Sequence, residues 1–185
     1  SIEALKEKAR THEQKEEWRK ALDNYRVAIA KLEDADEPDV GLYNRVGDLF
    51  VRIGNFDEAF SHYETAVDLY VEAGLQNNAI AVCKKVIRGL PGRSRIYLRM
   101  GQIRAEQGFL SDARTNFLHY AEQMQEAGDL DESFRALVEF CDIAPEDVDL
   151  RIAVGEQLAS HERVEEAVAQ LKMAYGRLMI GGDTE

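Results

Sequence analysis

The stretch that decides the fold is LYNRVGDLFVRIGNFDEAFSHYETAVDLYVEAGLQNNAIAVCKKVIRGLP (residues 42–91), because the chain repeats it. Residues 96–145, IYLRMGQIRAEQGFLSDARTNFLHYAEQMQEAGDLDESFRALVEFCDIAP, keep the same order of apolar residues, glycines and a closing proline. The positions that recur at an interval of 54 residues are Gly47, Gly101 and Gly155; Ala59, Ala113 and Ala167; Tyr63, Phe117 and Leu171; and, between the first two copies, Tyr43 and Tyr97, Gly54 and Gly108, Gly74 and Gly128, and Pro91 and Pro145. A repeat of this length predicts a stack of similar units that complete their cores on one another.

The spacing of apolar and helix-breaking residues predicts about ten α-helices. From Trp18 to Leu32, for example, apolar residues follow one another at intervals of three and four, which is the period of one helix face. The sequence shows no sustained alternation of apolar and polar residues, and it contains no Asn-Gly or Asp-Gly pair of the kind that closes a β-hairpin. The breaks between helices are short, which favours antiparallel neighbours. We therefore expect an all-α protein.

The residues at the recurring positions resemble the tetratricopeptide repeat, a family whose unit is a pair of helices of about 34 residues. The residues that carry the resemblance are Tyr43, Val46, Gly47, Phe50, Gly54, Ala59, Tyr63 and Ala66 in the first copy, Tyr97, Met100, Gly101, Gly108, Ala113 and Phe117 in the second, and Val154, Gly155, Leu158, Ala167, Leu171 and Ala174 in the third. The resemblance implies a right-handed superhelical solenoid that serves as a protein-interaction scaffold. The chain departs from the family in having three helices in each 54-residue copy, so the layer in which each helix lies is left open.

The repeat pattern also predicts the domain organisation. We expect one helical repeat domain over residues 1–180, followed by a flexible, glycine-rich tail over residues 181–185. The repeat units within the domain are expected at about 2–35, 40–93, 94–147 and 148–180.

Composition narrows the class of partner. A net charge of −12 argues against nucleic acid and against an anionic membrane surface, and no apolar run is long enough to cross a bilayer. Cys83 and Cys141 lie among apolar residues of predicted helices and form no disulfide framework, which favours buried, reduced thiols. We therefore expect a cytoplasmic protein whose partner is another protein or a peptide.

The clearest local departure from the acidic composition is a basic seam (residues 84–99). Residues 74–104 contain no acidic residue and seven basic ones. One interpretation is a docking surface for an acidic peptide, a carboxylate or a phosphate group. The alternative is a solvated face that pairs with acidic residues of the same molecule or of a second copy. The candidate partner-binding residues are Lys84, Lys85, Arg88, Arg93, Arg95 and Arg99, together with Asn44 and Arg45.

Asn44 and Arg45 come from a further resemblance. Some tetratricopeptide domains hold a peptide's terminal carboxylate with a clamp of Lys, Arg and Asn side chains. Lys6, Asn44, Arg95 and Arg99 lie at or beside comparable positions, whereas Arg10 and Arg45 stand where the family has asparagine. The resemblance therefore does not support a complete clamp.

No residue pattern indicates an active site. The four histidines (His12, His62, His119 and His161) have neither metal-ligand spacing nor a nearby cysteine or carboxylate in a nucleophile motif. No glycine-rich phosphate loop follows a strand. We expect no enzyme, no cofactor and no metal.

The last predicted helix is apolar on more than one face. Tyr175, Leu178 and Met179 are the candidate residues for self-association at this end. The alternative is that the helix abuts further repeats of a longer protein.

Overall fold

The computed structural model describes residues 1–182, and ten α-helices occupy that range. They are α1 (Ile2–Gln14), α2 (Trp18–Asp34), α3 (Val40–Arg52), α4 (Phe56–Glu72), α5 (Gln76–Gly89), α6 (Arg95–Glu106), α7 (Leu110–Glu126), α8 (Leu130–Ile143), α9 (Val148–Ser160) and α10 (Val164–Gly182). Each corresponds to a helix predicted from the sequence, and residues 1–182 contain no strand. The all-α prediction is confirmed.

The chain forms two compact units. The first unit is Ser1–Ile96 and the second unit is Tyr97–Glu185, so the division falls in the first turn of α6. The expectation of one domain over residues 1–180, with four repeat units, stays a prediction. Of the expected tail, Gly181 and Gly182 continue α10, and residues 183–185 lie outside the described part of the chain.

Each complete copy of the 54-residue repeat is built around its middle helix. In the first unit α4 packs on both α3 and α5. In the second unit α7 packs on α8, and Gly101 of α6 lies against the ring of Phe117 in α7. The third copy has the first two helices, α9 and α10, packed on each other. The recurring glycines therefore mark one kind of helix crossing, repeated at each copy.

The helix that opens each copy ends in the same way. Gly54, Gly108 and Glu162 have positive φ angles of 78°, 81° and 62°. In each case the next residue donates its backbone N–H back to a carbonyl of the last helical turn, as Asn55 does to Phe50 at 2.9 Å. This left-handed ending satisfies carbonyl groups that the end of a helix would leave without partners.

Candidate functional site

The first unit has a groove along α1, α3 and α5 that consists of two adjoining cavities. One cavity of about 630 Å³ lies where α1 and α2 meet α3. A second cavity of about 390 Å³ lies between α3 and α5. Arg45 and Arg52, both on α3, line the two cavities and so make them adjoin. We call the two together the basic groove.

The groove is positive although the protein is acidic. Its basic lining residues are Lys6, Arg10, Arg45, Arg52 and Lys85, and its acidic ones are Glu13, Asp39 and Asp48. Trp18, Tyr25 and Leu42 supply an apolar wall beside these charges. An acidic segment with an apolar side chain matches this combination of charge and wall.

Glu13 is the buried anchor of the α1–α3 contact. Tyr25 donates its hydroxyl to Glu13 Oε1 at 2.6 Å, and Arg45 donates Nε to the same oxygen at 3.1 Å. Arg45 also donates Nη2 to Glu13 Oε2. Burial raises the pKa of Tyr25, which keeps the phenol protonated as a donor. The guanidinium of Arg45 is therefore fixed in the groove by a bidentate pair.

Lys6 is fixed at the other end of the same cavity. Its ammonium lies 2.9 Å from Asp39 Oδ2 and 3.1 Å from Glu3 Oε1. The hydrogen bond to Asp39 raises the pKa of Lys6. Asp39 in turn accepts a hydrogen bond from the backbone N–H of Leu42 at 3.1 Å, and so caps the start of α3.

Lys85 is fixed between α5 and α3. It donates Nζ to Asn44 Oδ1 at 2.8 Å and to Asp48 Oδ1 at 2.9 Å, and it lies 5.2 Å from the centre of the Tyr63 ring. Three predicted site residues, Asn44, Arg45 and Lys85, are therefore placed along one helix junction.

The other residues of the basic seam lie elsewhere. Arg93 contacts Asp57 at 2.5 Å and Arg95 contacts Glu64 at 2.6 Å, so both are bound to α4 by ion pairs. Arg99 lies in the second unit. Lys84 and Arg88 are exposed on α5, and the described residues offer neither of them an ion-pair partner. Intramolecular pairing thus accounts for part of the seam, and its role in binding stays a prediction.

Arg52 lines the groove but is not among the binding residues predicted from the sequence. Its guanidinium lies 4.9 Å above the ring of Trp18. The available signal was its distance of seven residues from Arg45, which places both side chains on one face of α3. Arg10 appeared in the sequence as a departure from the family pattern, and it lines the groove as a cation.

The exposed end of the second unit is α10. Tyr175, Leu178 and Met179 are 65%, 54% and 54% exposed, and Val164, Met173 and Ile180 are exposed with them. The apolar surface expected from the sequence is present, and self-association through it stays a prediction.

The described residues include no cluster of three or more His, Cys, Asp or Glu side chains suited to a metal ion. Cys83 and Cys141 are buried and are not joined in a disulfide, and burial raises the pKa of Cys141 to about 11. Among residues 1–182, no helix has the length and apolar character needed to cross a membrane.

Comparison with known proteins finds likeness to solved structures only. No protein-family model matches the sequence, and no curated protein matches it. A tetratricopeptide repeat protein from Parabacteroides merdae is 19% identical, with 95% of this chain and 79% of that chain covered and a TM-score of 0.34. The TPR2AB domain of yeast Sti1, in a complex with pHSP90, is 12% identical, with 94% and 76% covered and a TM-score of 0.37. A thermophilic TPR protein of Thermus thermophilus is 18% identical, with 86% and 100% covered and a TM-score of 0.33. All three are tetratricopeptide repeat proteins, the family that the residue pattern of this chain resembles.

Proposed function

We propose that this chain is a non-catalytic protein-interaction scaffold that docks an acidic peptide segment in the basic groove of its first unit. The observation that carries the proposal is the charge balance of the groove. Each of its three carboxylates already holds a cation: Glu13 holds Arg45, Asp39 holds Lys6, and Asp48 holds Lys85. Arg10 and Arg52 remain without a groove carboxylate.

These two guanidinium groups are suited to a carboxylate from outside. Arg10 pairs with Glu7 of its own helix at 3.3 Å, and both side chains are exposed, so this contact is weak. The guanidinium of Arg52 stacks over the ring of Trp18, which leaves its N–H donors available for a ligand. A peptide carboxylate binds such a guanidinium with two parallel hydrogen bonds.

The proposal is tested with a labelled acidic octapeptide that carries one Phe and one Leu, measured by fluorescence anisotropy. The variant Arg10→Glu with Arg52→Glu is expected to weaken binding about tenfold or more, because each change replaces an attraction by a repulsion. The matched control is Arg26→Glu with Lys31→Glu, which makes the same change of net charge at exposed positions of α2. It is expected to bind within about twofold of the unchanged protein.

Two results would contradict the proposal. Equal weakening in both variants would show that the peptide senses the net charge alone. Unchanged binding in the groove variant would place the peptide elsewhere. Circular dichroism of each variant establishes that the helices are retained.

A second candidate function is assembly through α10. The exposure of Tyr175, Leu178 and Met179 favours it, because exposed apolar clusters of this kind mark interaction sites. Sedimentation velocity at micromolar concentrations tests self-association. A monomer that is unaffected by Leu178→Ser with Met179→Ser would remove this candidate.

A further inference from the structure

One face of α10, which carries Tyr175 and Leu178, is exposed, and we call it the open face. In the two earlier copies of the repeat another helix covers the corresponding face. Val67 in α4 is 1% exposed and Ala121 in α7 is 3% exposed. Tyr175 holds the same repeat position in α10 and is 65% exposed. The helix that follows α4 and packs on it is α5, and the helix that follows α7 and packs on it is α8. In residues 1–182 no helix follows α10, so this face has no cover from the described chain.

The covering helices share a residue pattern. Ser133 of α8 donates its hydroxyl to the backbone carbonyl of Ala121 at 2.8 Å, so the two helices are in close contact at a small residue. Ala79 holds this position in α5 and is buried. Buried apolar residues follow it by one, four and seven positions: Ile80, Cys83 and Val86 in α5, and Phe134, Leu137 and Phe140 in α8. A helix that covers α10 in the same way needs one small residue followed by this spacing.

A polar pair that recurs in the first two copies indicates which charge the covering helix needs. Lys85, six positions after Ala79, forms an ion pair with Asp48 at 2.9 Å. At the same positions of the second copy, Gln102 Nε2 donates to Glu139 Oε1 at 2.7 Å. The third copy has Glu156 in place of Asp48 and Gln102. Glu156 is exposed, and the described residues give it no ion-pair partner. A basic residue on the covering helix would reproduce the Lys85 contact, whereas an acidic one would meet a like charge.

We propose that the open face of α10 docks an amphipathic helix of another protein, in the position that α5 takes on α4, with a basic side chain opposite Glu156. The site lies on the second unit and is independent of the basic groove. A second copy of this chain is a poorer fit, because its helices of this type, α5 and α8, are already packed on α4 and α7.

Two peptides of this chain serve as probes in trans. The first has the sequence of residues 75–92, which contain α5, and the second has the sequence of residues 129–146, which contain α8. Each is labelled and titrated with the full chain under reducing conditions. The α5 peptide is expected to bind. Lys85→Glu in that peptide is expected to weaken binding about tenfold, because it places a carboxylate opposite Glu156.

The matched control is Lys84→Glu in the same peptide. It changes the net charge by the same amount at a position that is exposed in α5, and it is expected to change binding by less than about threefold. Conversely, Glu139→Lys is expected to strengthen binding of the α8 peptide. In the protein, Glu156→Lys is expected to restore binding of the Lys85→Glu peptide.

Further results separate this site from the alternatives. Tyr175→Ser with Leu178→Ser in the protein is expected to abolish peptide binding, whereas Arg10→Glu with Arg52→Glu is expected to leave it unchanged. Binding that survives the α10 variant would show exchange with the protein's own α5 and would overturn the proposal. Equal loss for Lys84→Glu and Lys85→Glu would overturn it as well. A dimer that Tyr175→Ser with Leu178→Ser dissolves would assign the face to a second copy instead.

Discussion

Gly47 and Tyr63 are in such close contact that a β-carbon at position 47 would lie 2.6 Å from Cε1 of the tyrosine ring. The contact recurs at the later copies: a β-carbon on Gly101 would lie 2.9 Å from Phe117, and one on Gly155 would lie 2.7 Å from Leu171. The 54-residue interval is thus the interval between three crossings at which one helix backbone touches a large side chain of the next.

Gly47→Ala is expected to destabilise the protein. The added methyl group cannot fit unless the Tyr63 ring moves, and overpacking of this kind costs about 1–3 kcal/mol. Part of that cost is offset, since alanine favours a helix over glycine by about 1 kcal/mol. Urea unfolding followed by circular dichroism measures the net loss, expected at up to about 2 kcal/mol once the gain in helix propensity is subtracted.

The control for this prediction is Gly176→Ala in α10. Apart from its chain neighbours and the backbone of its own helix, no atom of the described residues lies within 4 Å of a β-carbon built at Gly176, so the substitution gains helix propensity without a clash. It is expected to raise stability. A neutral or stabilising Gly47→Ala would mean that the crossing is looser than the contact indicates.

The helices could be predicted because their signals are local. Apolar spacing of three and four places one face of a segment such as α2 in the core, and the buried residues on that face are Ala21, Leu22, Tyr25, Ala28, Ile29 and Leu32. Gly54 and Gly108 mark helix ends because a left-handed residue is needed there. The division of the chain in the first turn of α6 has no such marker. It depends on which helices pack together, and the residue pattern of α6 repeats that of α3 without interruption.

Glu162→Gly is expected to stabilise the protein. Glu162 holds the left-handed position that glycine holds at Gly54 and Gly108, with a φ of 62°. The left-handed conformation costs a residue with a side chain about 1 kcal/mol in the folded state. Glycine avoids this cost, but its greater freedom in the unfolded chain offsets part of the gain. We expect a net gain of about 0.5–1 kcal/mol in urea unfolding. The reverse change, Gly108→Glu, is expected to cost a similar amount, and a gain from it would contradict this account.

The polar pair between the first and third helices of a copy is expected to be transferable. Lys85→Glu alone places a carboxylate opposite Asp48 and is expected to cost about 1 kcal/mol, since both groups are partly exposed. Adding Asp48→Gln recreates the Gln102–Glu139 pair of the second copy and should recover most of the loss. A double-mutant cycle in urea measures the coupling. Lys84→Glu is the exposed control, expected to change stability by less than about 0.5 kcal/mol.

The site could be predicted only in part, because charge along a sequence does not show which charges meet. Arg95 and Glu64 are 31 positions apart, and Arg45 and Glu13 are 32 apart, so both pairs exist only once the helices are packed. Arg151 gives a further example. It stands where the first two copies have Tyr43 and Tyr97, yet its guanidinium is buried and bonded to Asp142 and Gln170.

The protein is expected to become less stable in acid because Glu132 of α8, which accepts a hydrogen bond from Tyr120 of α7, is then protonated. Hydrogen bonds from Arg135, at 2.5 and 2.6 Å, lower the pKa of Glu132 from 4.5 to about 2, and the Tyr120 hydroxyl at 2.6 Å adds to this effect. Because the folded pKa is depressed, the contribution is complete above pH 4.5 and is lost as the pH falls towards 2. Urea unfolding at pH 6 and pH 3 measures the difference.

Glu132→Gln is expected to lower stability at pH 6 and to make the loss between pH 6 and pH 3 smaller, because the amide cannot be protonated in that range. Glu122→Gln on α7 is the matched change at an exposed position without an ion pair in residues 1–182, and it is expected to leave the difference between the two pH values unaltered. An acid loss as large in Glu132→Gln as in the unchanged protein would show that other carboxylates govern unfolding in acid.

The contact between Tyr120 and Glu132 gives a second readout, at alkaline pH. Burial and the bond to Glu132 raise the pKa of Tyr120 to about 12, so its contribution is complete below about pH 10 and is lost as the pH rises through 12.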